Sequence, residues 1–255
     1  MLPPIFIYTI TFIFGIVIGS FLNVCIYRIP EKEDIVKESS HCLSCGHKLA
    51  WYDLFPLVSF ILLGGKCRYC KTKLSIQYPT IEALNGVMYV LIVYLNGANV
   101  ESLLYGALVS ALIVLSVIDF RTYEIPLGIN IFILIIGIIN TILDTLKDKN
   151  NLLEHLIGMI AVSGFLAIIY YITKGRGIGG GDVKLMATCG LFIGWKLIIL
   201  AFLLGCILGS VIHIIRMKIS KADHVLAMGP YLSAGVVIAL LWGNSIINWY
   251  VSFYK

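Results

Sequence analysis

Residues 5–26 read IFIYTITFIFGIVIGSFLNVCI, twenty-two consecutive residues without a charged side chain. As a helix this stretch is about 33 Å long, and the hydrocarbon core of a bilayer is about 30 Å thick. The first charged side chain of the chain is Arg28. Positive charge that follows the apolar run, with no basic start and no small-residue cleavage site, predicts an uncleaved first helix whose N-terminus lies outside.

The rest of the chain repeats this signal. Of 255 residues, 59% are hydrophobic and 13% charged, whereas a soluble domain carries about 25% charged residues. The composition excludes an ordinary soluble domain, and the absence of alternating polarity excludes a β-barrel. The fold class is all-α and polytopic, with about eight transmembrane helices over 5–26, 79–96, 102–119, 125–143, 152–173, 183–195, 197–217 and 226–250. Gly194-Trp195-Lys196 is the sole break between the sixth and seventh. Charge placement decides for two helices there. Eight spans put Arg121, Lys174, Arg176, Lys184, Arg216, Lys218 and Lys221 on one side with the basic loop after helix 1. Lys147, Lys149, Lys196 and Lys255 fall on the other. The positive-inside rule makes the first side cytoplasmic. The basic residues are interspersed with acids, so no nucleic-acid footprint exists.

The cytoplasmic loop, about 27–78, contains HCLSCGHKL (41–49) and KCRYCKTKL (66–74). Cys42-x2-Cys45 and Cys67-x2-Cys70, separated by 21 residues, are two knuckles able to offer four thiolates to a tetrahedral Zn²⁺. His41 and His47 are further potential ligands, but four cysteines already complete a shell. Disulfides fit poorly in a reducing cytoplasm. A closed four-cysteine shell is structural, and a loop with so little core needs the staple. The apolar stretch LFPLVSFILL (54–63) is too short to span and is interrupted by Pro56, so it packs on the membrane surface or on the loop's own core. Cys25, Cys189 and Cys206 sit in apolar spans as small core residues.

Three of the fourteen acidic residues fall at cytoplasmic ends of spans: Glu82, Asp119 and Asp182. A carboxylate near the bilayer core is costly and marks function. Asp182 follows the glycines of GRGIGGGDVK (175–184). Their match to a dinucleotide fingerprint, at Gly175, Gly177 and Gly180, lacks any βαβ context. The glycines predict a tight turn, with Asp182 as the N-cap of the next helix. Asp119 ends an apolar helix, and its plainer reading is a boundary residue paired with Arg121. Two neighbouring carboxylates share a proton, one then acting as base on water and the other as acid on a carbonyl oxygen. The positive end of a helix favours the anion at Asp182. An ion-coupled carrier is the competing class, but the acids sit at one face rather than the midplane and the chain has no repeated halves. A non-enzymatic zinc scaffold leaves the acid pair unexplained.

The chain resembles the type IV prepilin peptidases through GSFLNVCIYRIP (19–30), both CxxC pairs, WYDLFPLVSF (51–60), YPTIE (78–82), DFRTYEIP (119–126) and GGGDVKL (179–185), in family order. The resemblance implies an aspartic membrane endopeptidase of the GxGD type, with Asp119 and Asp182 as its catalytic pair. It implies prepilin or pseudopilin substrates, cut after a short basic leader at the cytoplasmic membrane face of a bacterium, with membrane lipid as the surrounding partner. It also implies N-methylation of the new terminus with S-adenosylmethionine, an activity that goes with the CxxC loop; peptidase activity alone is the alternative. The expected division is 1–96, with helix 1, the zinc loop, helix 2 and the methyl-transfer part, and 97–255, a six-helix peptidase core. Asn23, Arg28 and Glu82 are polar groups near the methyl-transfer boundary. Glu82 is a candidate to bind a leader lysine or the substrate amine, or else a helix-end residue reaching for water.

Overall fold

Each of the eight apolar stretches forms a helix in the computed structural model, which describes residues 3–220 and 226–253. Lys221 and Lys255, used in the charge count, lie outside the described residues. The helices are α1 (Pro4–Glu31), a short α2 (Val58–Leu62) inside the loop, α3 (Gln77–Asn96), α4 (Val100–Thr122), α5 (Leu127–Lys147), α6 (Asn151–Ile172), α7 (Gly180–Ile193), α8 (Trp195–Ser220) and α9 (Gly229–Ser252). Among the described residues there is no strand, only two isolated bridge pairs. Seven helices are long and apolar enough to cross a membrane. The expected sixth span is the exception: α7 has 14 residues, too few to cross unaided. Its break from α8 is real. Gly194 sits at φ 79, ψ 170, a conformation essentially reserved for glycine.

The chain divides into two compact units, Met1–Val114 and Leu115–Lys255. In the first, α1 packs on α3 through small residues. A Cβ at Gly15 would lie 2.8 Å from the Gly86 Cα, and one at Gly19 would lie 2.7 Å from the Glu82 Cα. Polar groups buried here satisfy one another, as a low-dielectric interior demands. Asn85 Nδ2 donates to the Gly15 carbonyl at 2.7 Å, Ser110 Oγ donates to Asn85 Oδ1 at 2.9 Å, and Tyr89 Oη lies 3.1 Å from Ser110 Oγ.

Helix α1 runs past its expected end to Glu31. Buried Arg28 then holds the start of the loop, donating to the carbonyls of Asp34, Ile35, Glu38 and Ser39 at 3.0–3.4 Å. The stretch 54–63 is not part of a loop core. Leu54, Phe55, Val58, Ile61 and Leu62 are exposed, as is Trp51 just before them.

In the second unit α7 lies against α5, α6 and α8. Leu185, Met186 and Cys189 are fully buried, which fits a helix apolar on all sides. The α6–α7 crossing brings backbone onto backbone. A Cβ at Gly158 would lie 2.7 Å from the Gly194 carbonyl carbon and also collide with the Gly190 oxygen. The last carbonyls of α7, which have no partner within a helix, are taken by side chains. Asn140 Nδ2 donates to the Phe192 carbonyl at 3.0 Å, Thr141 Oγ1 donates to that of Leu191 at 3.0 Å, and His155 Nδ1 lies 2.8 Å from the Leu191 oxygen. Asp144 Oδ2, 3.4 Å from His155 Nε2, orients that ring.

Candidate active site

Asp119 lies one turn before the end of α4 and is 4% exposed. Its backbone carbonyl accepts from the Tyr123 N–H at 2.8 Å, with Tyr123 left-handed at φ 56. This closes the helix and turns the chain into Glu124-Ile125-Pro126, where Pro126 begins α5. The Asp119 side chain is held from a distant helix: Gly229 donates its backbone N–H to Oδ2 at 2.9 Å.

Asp182 is placed differently from the sequence expectation. The N-cap of α7 is Gly179, at φ −70, ψ 140, and Asp182 is three residues further on, in the first helical turn. Gly180 and Gly181 enter the helix, so the capping position moves back. The Asp182 carboxylate folds over the cap, where a Cβ at Gly179 would lie 3.0 Å from Oδ2. It still benefits from the positive helix end. Gly181 explains the glycine run: a Cβ there would lie 2.9 Å from the Ile125 Cβ. The connector after α4 therefore rests directly on the first turn of α7.

The two carboxylates line one cleft of about 300 Å³, with Tyr123, Glu124, Ile125, Leu127, Gly179, Gly180, Gly181 and Lys184. Chemically this is a pair of acids, Asp119 buried and Asp182 partly exposed, in a cleft walled on one side by glycine backbone. Arg121, the partner considered for Asp119, does not line the cleft. Sequence reasoning missed Gly229. Its only signal was the Gly229-Pro230 pair at a helix start.

The four cysteines come together in the first unit. All four sulfurs lie within 4.8 Å of one another, and Cys42 Sγ is 3.8 Å from Cys70 Sγ. Four thiolates at 2.3 Å around a tetrahedral Zn²⁺ are about 3.8 Å apart, so the residues fit the ion. Each knuckle folds the same way. Cys42 and Cys67 donate their N–H to the carbonyls of His47 and Thr72, and their own carbonyls accept from the N–H of Gly46 and Lys71 respectively. Gly46 and Lys71 are both left-handed, at φ 70 and φ 61. The Thr72 hydroxyl, then its backbone N–H, holds the Cys70 thiol down to about 6, so it is thiolate at neutral pH. His47 stacks on Tyr69 at 3.6 Å, and His41 Nδ1 lies 3.3 Å from the Ser39 oxygen; neither joins the cluster.

Asp53 braces the second knuckle. It accepts from Arg68 Nε at 2.6 Å and from the Tyr69 hydroxyl at 3.2 Å, and Arg68 lies over the Tyr52 ring. Glu82 is buried, and its Oε2 accepts from the Leu57 N–H at 2.8 Å. Leu57 is left-handed at φ 59, so this bond pins a strained turn at the head of α2. Asn23 Nδ2 donates to the carbonyls of Gly19 and Tyr78.

Residues 13–96 match the family described as Bacterial Peptidase A24 N-terminal domain, and residues 106–214 match the Type IV leader peptidase family. Curated relatives resemble the chain along almost its whole length. A protein of Bacillus subtilis (strain 168) is 32% identical over 246 residues, covering 95% of this chain and 97% of its own. One of Pseudomonas putida is 29% identical over 270 residues, covering 96% and 94%; one of Legionella pneumophila is 28% identical over 277 residues, covering 98% and 96%. All three are named prepilin leader peptidase/N-methyltransferase. No solved structure matches the chain.

Proposed function

This chain belongs to the type IV leader peptidase family, and on that premise we propose that Asp119 and Asp182 together hydrolyse the leader peptide bond of a prepilin. The observation that carries this reading is the cleft itself: two carboxylates from different helices line one cavity of about 300 Å³. One carboxylate takes a proton from water as its oxygen attacks the scissile carbonyl carbon. The other, protonated, gives its proton to the carbonyl oxygen. When the C–N bond breaks, the protonated member of the pair gives its proton to the leaving amine while the other carboxylate takes a hydroxyl proton from the tetrahedral intermediate, so the new C-terminus forms as a carboxyl group and the pair again shares one proton. The Gly229 N–H fixes Asp119, and the Ile125–Gly181 contact fixes the spacing between the connector after α4 and the start of α7.

Cleavage takes place at the cytoplasmic membrane face of a bacterial membrane, the side on which basic residues accumulate. The freed amine is then N-methylated. S-adenosylmethionine supplies the methyl group for this step, and residues 1–96 carry the part that uses it. Residues 97–255 form the peptidase core. Cys42, Cys45, Cys67 and Cys70 hold a structural Zn²⁺, supported by the fit of the sulfur cluster to a tetrahedral ion. Glu82 is the candidate to hold a leader lysine or the substrate amine; its Oε2 also accepts from the Leu57 N–H.

The test is intact mass of a purified prepilin incubated with the protein and S-adenosylmethionine in detergent. Wild type should remove the leader and add one methyl group. Asp119→Asn and Asp182→Asn should each leave the prepilin uncut with the protein still folded. Cleavage by either variant would overturn the acid pair.

A further inference from the structure

Asn130 in α5 is 3% exposed, and neither its Nδ2 nor its Oδ1 has a hydrogen-bond partner among the described residues. An orphaned buried amide bears its desolvation cost with no hydrogen bond to offset it. Leucine has nearly the same shape and would carry no such penalty, so the amide is unfavourable for the fold as it stands.

Its place on α5 gives the amide a destination. The buried stripe of α5 runs Asn130, Ile133, Gly137, Asn140 and Thr141. Its upper part faces α7: Gly137 meets the Thr188 oxygen and Phe192, and Asn140 and Thr141 bind the Phe192 and Leu191 carbonyls. Both residue numbers fall together along this contact, so α5 and α7 run parallel. Asn130 is seven residues, about 10 Å, before Gly137 on the same stripe. The matching step down α7 from Thr188 and Phe192 ends at Gly181 to Leu185. The lower end of the contact agrees, since Ile125 rests on Gly181. Within this part of α7 the polar side chains are Asp182 and Lys184, and Lys184 is exposed. One turn before Asn130 on the same face, Leu127 lines the cleft with Asp182.

We infer that Asn130 is a positioning residue for the peptidase reaction: its amide donates to the Asp182 carboxylate when that side chain turns from Gly179 toward α5. This rests on the acid-pair reading above and adds a member to it. In the resting arrangement Asp182 folds back over the α7 cap, and the amide stays unpaired. Rotation of the carboxylate away from Gly179 and toward α5, at the edge of the cleft it already lines with Asp119, gives the amide its partner. The orphaned amide and the folded-back carboxylate are then two halves of one bond.

The experiment compares Asn130→Leu and Asn130→Gln with wild type, measuring kcat and KM for prepilin cleavage and the thermal midpoint of each detergent-purified protein. Asn130→Leu should keep or raise the midpoint, leave KM within about twofold and lower kcat by about 10- to 100-fold. Asn130→Gln, which keeps the amide, should recover part of kcat. Asn130→Leu with wild-type kcat would overturn the inference, and so would a loss of kcat that tracks a lowered midpoint, which marks a purely structural role. Asp182→Asn in the same assay separates the two readings. If it is inactive while Asn130→Leu is fully active, the acid pair stands and Asn130 has no part in it. If it is active, the acid pair itself fails.

Discussion

Gly229 sets the position of Asp119: its N–H lies 2.9 Å from Oδ2, and a Cβ on the same residue would lie 2.7 Å from that oxygen. Substitution by alanine therefore pushes the carboxylate away from the donor that holds it. A displacement near 1 Å at a catalytic group costs about 100-fold in rate. Gly229→Ala should lower kcat for leader cleavage by about that factor while KM changes little. Single-turnover cleavage followed by mass spectrometry reads this directly; wild-type turnover would show that Asp119 does not depend on the amide.

Removal of zinc is expected to loosen the loop and spare the membrane core. Wild-type protein should carry about one zinc per chain, and Cys67→Ser should carry far less. Limited proteolysis should then cut between residues 40 and 75 in the variant and in chelator-treated protein. Added zinc should restore protection to wild type only. Metal analysis alongside the protease ladder checks both points.

Lys71 takes the position in the second knuckle that Gly46 takes in the first, at nearly the same φ. A side chain in that region costs about 1–2 kcal/mol relative to glycine. Glycine loses more backbone freedom on folding, which offsets part of the gain. Lys71→Gly should tighten zinc binding by up to about fivefold, about 1 kcal/mol, in a competition titration with a chromophoric chelator. Weaker binding would mean that the lysine side chain makes a compensating contact.

Asp53 gives a pH signature. Burial disfavours its ionised form, but the Arg68 guanidinium, the Ala50 N–H and the Tyr69 hydroxyl outweigh that and hold its carboxyl below the ordinary 3.8. A carboxyl lowered in the folded state adds stability above its unfolded value and loses it as pH falls through the folded one. The difference in loop protection between wild type and Asp53→Asn should be full at neutral pH, begin to shrink near the ordinary value and vanish below the lowered one. Hydrogen exchange of residues 50–72 across that range tests it; a difference that grew on acidification would reverse the sign and refute the account.

Much of this was legible before any coordinates, for identifiable reasons. The eight apolar runs fix helices because a bilayer offers no other partner for their backbone groups. The cysteine pairs were legible because knuckle geometry is local, within six residues. Asp119 and Asp182 stood out as charges where charge is costly. Long-range relations were not legible. Nothing near Asp119 in sequence announces Gly229, 110 residues away. The capping position of α7 was misplaced by three residues because glycine is compatible with turn and helix alike, so the run GGG could not locate the helix start. Nothing in the sequence around Asn130 marks it; the inference about it needs the parallel register of α5 on α7.

The side chains of Asn140, Thr141 and His155 grip the final turn of α7, while its opposite end begins in glycine. That end touches the rest of the unit through the Ile125–Gly181 contact, so a tilt at the gripped end reaches the acid amplified by the length of the rod. From Phe192 to Asp182 is about 15 Å, so a tilt of about 4° at the grip moves the carboxylate by about 1 Å. Catalytic precision is thus set partly at the far end of the helix from the acids. Substitutions there, touching neither acid nor substrate, should surface as slow enzymes rather than as unstable ones.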